Sequence, residues 1–304
     1  MKNTIDLQIQ TTASDGKHTS REVVEMAKEL GITTIAITDH DTLGGVEEGI
    51  RAGEELGVRV ISGIEMSVEE YESHVLGFGI DVHNEALNTM LESSRALRLG
   101  TLREMMERLK KNEGFVIEWE DVLNDTPDSK TITRLHVVRS IMKKPENQQK
   151  LGGITKQEFF KKYFSEKGPN YVHRKYPSVK EVAKLLHDAG GVAVWSHPII
   201  PGFQSRDYEA LEKGLREFIG WGIDGVEVFN PSHTEDDAEC LEGLSRKYNI
   251  LRTAGSDFHE KGNHVADSIN GLHSARTLGD YEIYGFDTGD IITQLDEAIN
   301  KKKL

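Results

Sequence analysis

The chain has 304 residues, 37% of them hydrophobic, enough for one large α/β barrel or a barrel carrying an inserted lobe. A formal charge of −14 and a pI near 5.4 exclude a broad basic surface for gripping long duplex nucleic acid or an anionic membrane, but leave room for a small phosphate pocket. The single cysteine, Cys240, has no disulfide partner and no stretch approaches the ~20 apolar residues of a membrane span, so a soluble chain in a reducing cytoplasm is expected.

The first strand is predicted at residues 4–10, with Ile5, Leu7 and Ile9 on one face and Asp6, Gln8 and Gln10 on the other. A helix near 20–30, a strand at 33–38, a helix near 45–56 and strands at 58–64 and 74–79 follow. Ser20 is read as the cap of the first helix, and Gly31 and Gly57 stand where left-handed helix ends favour glycine. Residues 84–177 supply few strand candidates and long charged helical stretches, such as 97–111 and 154–167. This segment reads as a helical insertion over the barrel mouth, placed to select substrate. Helix 178–189, strand 192–196, helix 207–219, strand 225–229, helix 235–247, strand 250–255 and a closing helix at 290–301 complete the pattern. The alternation predicts a mainly parallel sheet. With no internal repeat or low-complexity linker, one decorated barrel is expected: residues 1–83 and 178–304 as barrel, 84–177 as the inserted substrate-binding lobe.

In a barrel of parallel strands, the C-terminal strand ends converge on one mouth. Here the apolar runs end in Asp39-His40, Glu65, His197, and Asp257 with His259, and another run opens with His74. Taken alone, Asp39-His40 is better explained as a turn or helix cap. Independent placement of all these groups at strand ends is improbable, which points to a metalloenzyme. Imidazole with carboxylate suits Zn, Mn or Fe, and a carboxylate shared by two such ions can hold a hydroxide ready for attack.

Asp6-Leu7-x-x-x-Thr11-Thr12-Ala13-Ser14-Asp15-Gly16, Thr38-Asp39-His40-Asp41-Thr42, Gly63-Ile64-Glu65, Ser196-His197-Pro198 and Gly255-Ser256-Asp257-Phe258-His259 together resemble the PHP (polymerase and histidinol phosphatase) family. The resemblance implies a distorted (β/α)7 TIM-like barrel that hydrolyses phosphate esters with two or three divalent transition metals. It implies Asp15, His40 and His259 around one ion, Glu65, His74 and His197 around a second, and Asp257 with bridging Glu65 at a third. One motif departs from the family pattern. The opening His-x-His, whose histidines bind the third ion, is Gln8-x-Gln10 in this chain. A glutamine oxygen is a neutral and weaker donor than imidazole. A two-metal variant, a substitution made to inactivate the site, and a natural chain that has lost catalysis all fit these residues.

Within the family the chain looks most like a bacterial branch that carries a helical insertion and acts on nucleotides. That branch removes the 3′-phosphate from 3′,5′-nucleotide bisphosphates, and some members also trim short RNA from its 5′ end. Thr133-Arg134-Leu135-His136 resembles its phosphate-binding stretch, with a solvated helix face as the plainer reading. Lys167, Tyr171 and His173 could add positive charge or stack on a base. His233, after strand 225–229, resembles a family turn close to substrate; it is read as a proton donor to the leaving oxygen or as a satisfied loop histidine. His187 is read as structural, and His264 and His273 are given no role. The expected activity is hydrolysis of a phosphate monoester on a small nucleotide, with Glu65, Asp257 and His233 as catalytic groups. A histidinol-phosphate-type phosphatase and a non-catalytic nucleotide-binding homologue are the rivals.

Overall fold

The computed structural model describes residues 3–127, 129–165, 168–199, 206–261 and 277–303. Strands β1 (Ile5–Asp6), β2 (Thr34–Ile37), β3 (Arg59–Ser67), β4 (His74–Phe78), β5 (Val192–Trp195), β6 (Gly225–Phe229) and β7 (Leu251–Ala254) form one sheet in chain order. Beyond β1 the chain stays extended against the last strand: Leu7 N donates to Ala254 O at 3.0 Å and Gln10 N to Phe258 O at 2.9 Å. Ile9 also pairs in parallel with Phe258, so the sheet nearly closes into the expected distorted barrel. Four of the pairings are parallel, but β4 runs antiparallel to both β3 and β5. The connection at residues 68–73 is too short for the crossover that a parallel neighbour requires. The inversion has a consequence for the mouth. His74, the first residue of β4, pairs with Ser67 at the end of β3 and so reaches the same rim as the C-terminal ends of the parallel strands.

Helix α1 (Ser20–Leu30) is capped by Thr19, not by Ser20: Thr19 Oγ1 accepts from Glu22 N while the Glu22 carboxylate accepts from Thr19 N. Gly31 and Gly57 end α1 and α2 (Val46–Leu56) at φ of 78° and 77°, the left-handed conformation expected of them. The inserted stretch contains α3 (Glu85–Glu113), α4 (Trp119–Asp125), α5 (Arg134–Lys143), α6 (Gln148–Leu151) and α7 (Lys156–Tyr163). The barrel helices that follow are α8 (Val179–Asp188), α9 (Tyr208–Gly220), α10 (Glu235–Tyr248) and α11 (Ile291–Lys302).

Three clusters of buried apolar side chains hold these elements, one of them (Ile9, Val23, Val24, Ile35, Ala52 and Phe258) packing α1 and α2 against the first strands and the seam. Leu7, Val75, Phe78, Val194, Trp195 and Phe229 pack with α8–α11 in the barrel. Leu102, Met105, Leu109, Phe115, Ile141, Phe159 and Phe164 pack within the inserted stretch. Each such side chain contributes roughly 1.5–3 kcal/mol on burial. Helix α3 belongs to both of these cores, placing Leu87 and Leu91 in that of the barrel and Leu102 to Leu109 in that of the inserted stretch. It therefore ties the helical stretch to the barrel. No helix among the described residues is long and apolar enough to cross a membrane.

Candidate metal centre

Asp15 reaches the mouth on the loop after β1, and that loop is anchored by a buried carboxylate. Asp39 accepts from Thr11 N and Thr11 Oγ1, both at 2.7 Å, and from Ser14 Oγ at 2.5 Å. His40 follows β2 and is bridged to Glu65 on β3. His197 follows β5, and Asp257 and His259 follow β7. His197 and Asp257 take φ of 25° and 50°, values that non-glycine residues rarely adopt and that recur at functional sites. The peptide N–H of strained His197 is held by Glu227 Oε2 at 2.9 Å.

The side chains gather into two adjoining groups, Asp15–His40–His259 and His40–Glu65–His74, with ligand atoms in each lying within 4.8 Å of one another. His259 Nε2 is 3.6 Å from Asp15 Oδ1, and His40 Nδ1 is 3.6 Å from Glu65 Oε2. Glu65 Oε1 lies 2.9 Å from His74 Nδ1 and 3.1 Å from His197 Nε2, so His197 joins the second group. Ligands held about 2.1 Å from a shared ion stand roughly 3–4 Å apart, so these donor sets fit divalent cations. Asp15 Oδ1 is buried with no hydrogen-bond partner, as an atom reserved for a cation would be. His259 Nδ1 lies 2.7 Å from Asp257 O; donating there keeps the Nε2 lone pair facing Asp15. Asp257 Oδ1 stands 3.8 Å from the same ring.

Charge is balanced within the cluster. Burial opposes ionisation of Glu65, yet His40, His74 and His197 hold its carboxyl well below the usual range. Burial likewise works against Asp15, and His40 and His259 outweigh it. Burial, with repulsion from His74 and His259, pushes His40 down despite Glu65 and Asp15, favouring the neutral imidazole that ligates metals.

Above the cluster, a cavity of about 200 Å³ is lined by Asp15, His40, His74, Asp257 and His259 from the barrel and by Arg98, Arg134, Arg139 and Arg174 from the inserted stretch. Asp41, at a φ of 48°, pairs with Arg98 and lies 3.8 Å from Arg174. One carboxylate thus faces two guanidinium groups. Burial, with repulsion from Arg174, pushes Arg98 down to about 9. Arg134 donates to Phe164 O at 3.0 Å and lies over the rings of Phe160 and Tyr171. Leu102, Met105 and Phe160 supply apolar wall, and Tyr171 and Tyr176 aromatic faces.

Other expected site residues sit elsewhere. His136 is buried at the start of α5, where its Nδ1 accepts from Thr133 N at 3.0 Å, and it lines a neighbouring cleft instead of the cavity. His233 is buried, its Nδ1 2.8 Å from Val228 O, and burial lowers it to about 4; it does not line the cavity. Lys167 lies outside the described residues, as do His264 and His273. His173 is exposed and 3.2 Å from Glu69. His187, read as structural, contacts Asp224 at 2.7 Å from α8.

Sequence reasoning missed Arg98, Arg139, Arg174 and Glu227. Glu227 interrupts the apolar run of β6, and a carboxylate in the middle of a buried strand was a usable signal. Burial, reinforced by the charges of Asp257 and Glu65, pushes its carboxyl well above the usual range.

Comparison with known proteins agrees with this architecture. The family model described as the PHP domain matches residues 6–189. The chain is 27% identical over 262 residues to a 5′-3′ exoribonuclease of Haemophilus influenzae, covering 85% of this chain and 91% of that protein. It is 29% identical to a 3′,5′-nucleoside bisphosphate phosphatase of Chromobacterium violaceum, covering 85% and 88%. Among solved structures, a Bifidobacterium adolescentis protein described as a metal-dependent phosphoesterase superposes with a TM-score of 0.78 at 29% identity, covering 98% of this chain and 96% of that one.

Proposed function

The chain belongs to the PHP family, and on that premise we propose that it removes a phosphate group from a small nucleotide carrying a second phosphate. It is a metal-dependent phosphoesterase, as its family and relatives are. The finer reading rests on one observation: a cavity that joins the imidazole–carboxylate cluster to four arginines sharing few carboxylates. Asp15, His40 and His259 would hold one cation, and Glu65, His74 and His197 a second, with Asp257 beside them. Bound cations would supply charge neutralisation for the scissile phosphate and activation of water.

The chain's own groups do the rest. Arg98 and Arg174, oriented by Asp41, would grip the non-reacting phosphate through paired N–H donors. That contact fixes the distance from the held phosphate to the cluster, so the ester is presented in one orientation. Tyr171, Phe160 and Leu102 offer a face for a base or ribose. The apolar wall and the insertion limit water at the reacting end.

The test is a substrate panel with Mn²⁺: 3′,5′-adenosine bisphosphate, 3′-adenosine monophosphate and histidinol phosphate. The bisphosphate should be preferred. Arg174→Gln should raise its KM about 10–100-fold, the loss of about 1.4–2.8 kcal/mol that one charged phosphate contact represents. The monophosphate, lacking the second phosphate, should be little affected. Faster turnover of histidinol phosphate would overturn the nucleotide reading.

A further inference from the structure

We infer that the mouth holds two cations and not three, because the Gln10 carboxamide occupies the position of a third. The inference rests on the metal reading above and goes beyond it. Gln8 and Gln10 are fully buried in the extended segment that follows β1. Gln10 Nε2 donates to Glu65 Oε2 at 2.6 Å. Its oxygen accepts from His40 N at 3.0 Å and from Ser14 Oγ at 3.1 Å. The atom that faces the shared carboxylate is therefore an N–H donor, which offers a cation no electron pair.

The neighbours fix this orientation. Flipping the Gln10 amide would set its oxygen against a carboxylate oxygen and its NH₂ against the His40 N–H, two repulsive contacts in a buried site. Gln8 is locked in the same way: Nε2 donates to Ser196 Oγ at 3.0 Å and Oε1 accepts from Asn230 Nδ2 at 3.2 Å. Asn230 cannot turn to release it, since its oxygen accepts from Ser232 N at 3.0 Å and its nitrogen donates to Glu227 Oε2 at 3.1 Å. Each amide thus has both ends engaged. The amide hydrogens of Gln10 place partial positive charge against Glu65, where a third cation would otherwise bind. The side-chain ligand atoms of the other two groups, Asp15–His40–His259 and Glu65–His74–His197, are untouched by this network except for those of Glu65; His40 joins it only through its peptide N–H.

The direct test is a metal count on the full chain, stripped with chelator, reloaded with Mn²⁺ and desalted, by elemental analysis and by Mn²⁺ electron paramagnetic resonance. The wild-type chain should retain two ions. The Gln8→His, Gln10→His double variant, checked for folding by circular dichroism, should retain three. Three ions in the wild-type chain would overturn the two-cation inference and leave the proposed function standing. A wild-type count near zero would overturn the metal reading on which both rest. Two ions in both proteins would show that the glutamines are not what excludes the third. The wild-type count decides the number of cations even if the double variant fails to fold, and the Gln10→His single variant then tests the part played by the amide.

Discussion

Asp39 touches none of the cavity, yet the position of Asp15 depends on it. Its carboxylate gathers Thr11 and Ser14 through four hydrogen bonds, two of them to peptide N–H groups. Asp39→Ala would strand those buried donors, a loss of about 2–4 kcal/mol in stability. It should also weaken cation binding about 10–100-fold by freeing the Asp15 loop. Denaturant titration and a Mn²⁺ binding isotherm would check both; unchanged affinity would separate Asp39 from the site. His233 makes a pH prediction. Its folded-state value is about 4 against an ordinary 6.5, so the folded chain keeps the ring neutral while the unfolded chain protonates it. Its contribution is complete above pH 6.5 and is lost as pH falls toward 4, to an extent on the order of 3 kcal/mol. His233→Asn should flatten stability over that window, and an unchanged profile would contradict the assignment. At this scale the ligand candidates were legible, because a charged residue directly after an apolar run stands out. Arg98 was not, since on a long charged helix nothing in the sequence separates it from Arg95, Arg103 or Arg108.

The strands carry the site because their ends meet, and the seam between β1 and β7 is where that meeting is tightest. A Cβ on Gly255 would come within 2.5 Å of Gln8 Cβ and 2.7 Å of Gln8 N. Gly255→Ala should therefore pry the seam apart, costing about 1–3 kcal/mol and displacing Asp257 two residues on. Thermal unfolding would show the loss, and wild-type stability would mean the seam is looser than its contacts imply. Element order was readable from periodicity for all seven strands and the helices between them, whereas α4, α5 and α6 were not placed. The direction of β4 was not read from the alternation, although the short 68–73 connection contained it. The hydrogen-bonded part of β1 is also shorter than its apolar alternation suggested, spanning Ile5–Asp6, because the residues beyond it bond partly to loops and side chains such as Thr38 Oγ1.

Over the whole molecule, an acidic chain gathers four arginines at one cavity, a contrast that would favour a small anionic ligand there. The barrel supplies the imidazoles and carboxylates, α3, α5 and the extended segment after α7 supply the guanidinium groups, and α3 packs in both the barrel core and the core of the helical stretch. The resemblance of motifs carried the family from sequence alone; the arginine set emerged only when distant segments were brought together. Metal-dependent hydrolysis is tested most directly by phosphate release from 3′,5′-adenosine bisphosphate by chelator-stripped chain, before and after Mn²⁺ is restored, with Glu65→Gln alongside. No release is expected without metal, release on reloading, and a loss of at least about 100-fold in Glu65→Gln, since its buried carboxylate faces His40, His74 and His197 at the centre of the cluster. Tight binding of the bisphosphate with no release, even in excess Mn²⁺, would contradict metal-dependent hydrolysis and mark the chain as a nucleotide-binding protein.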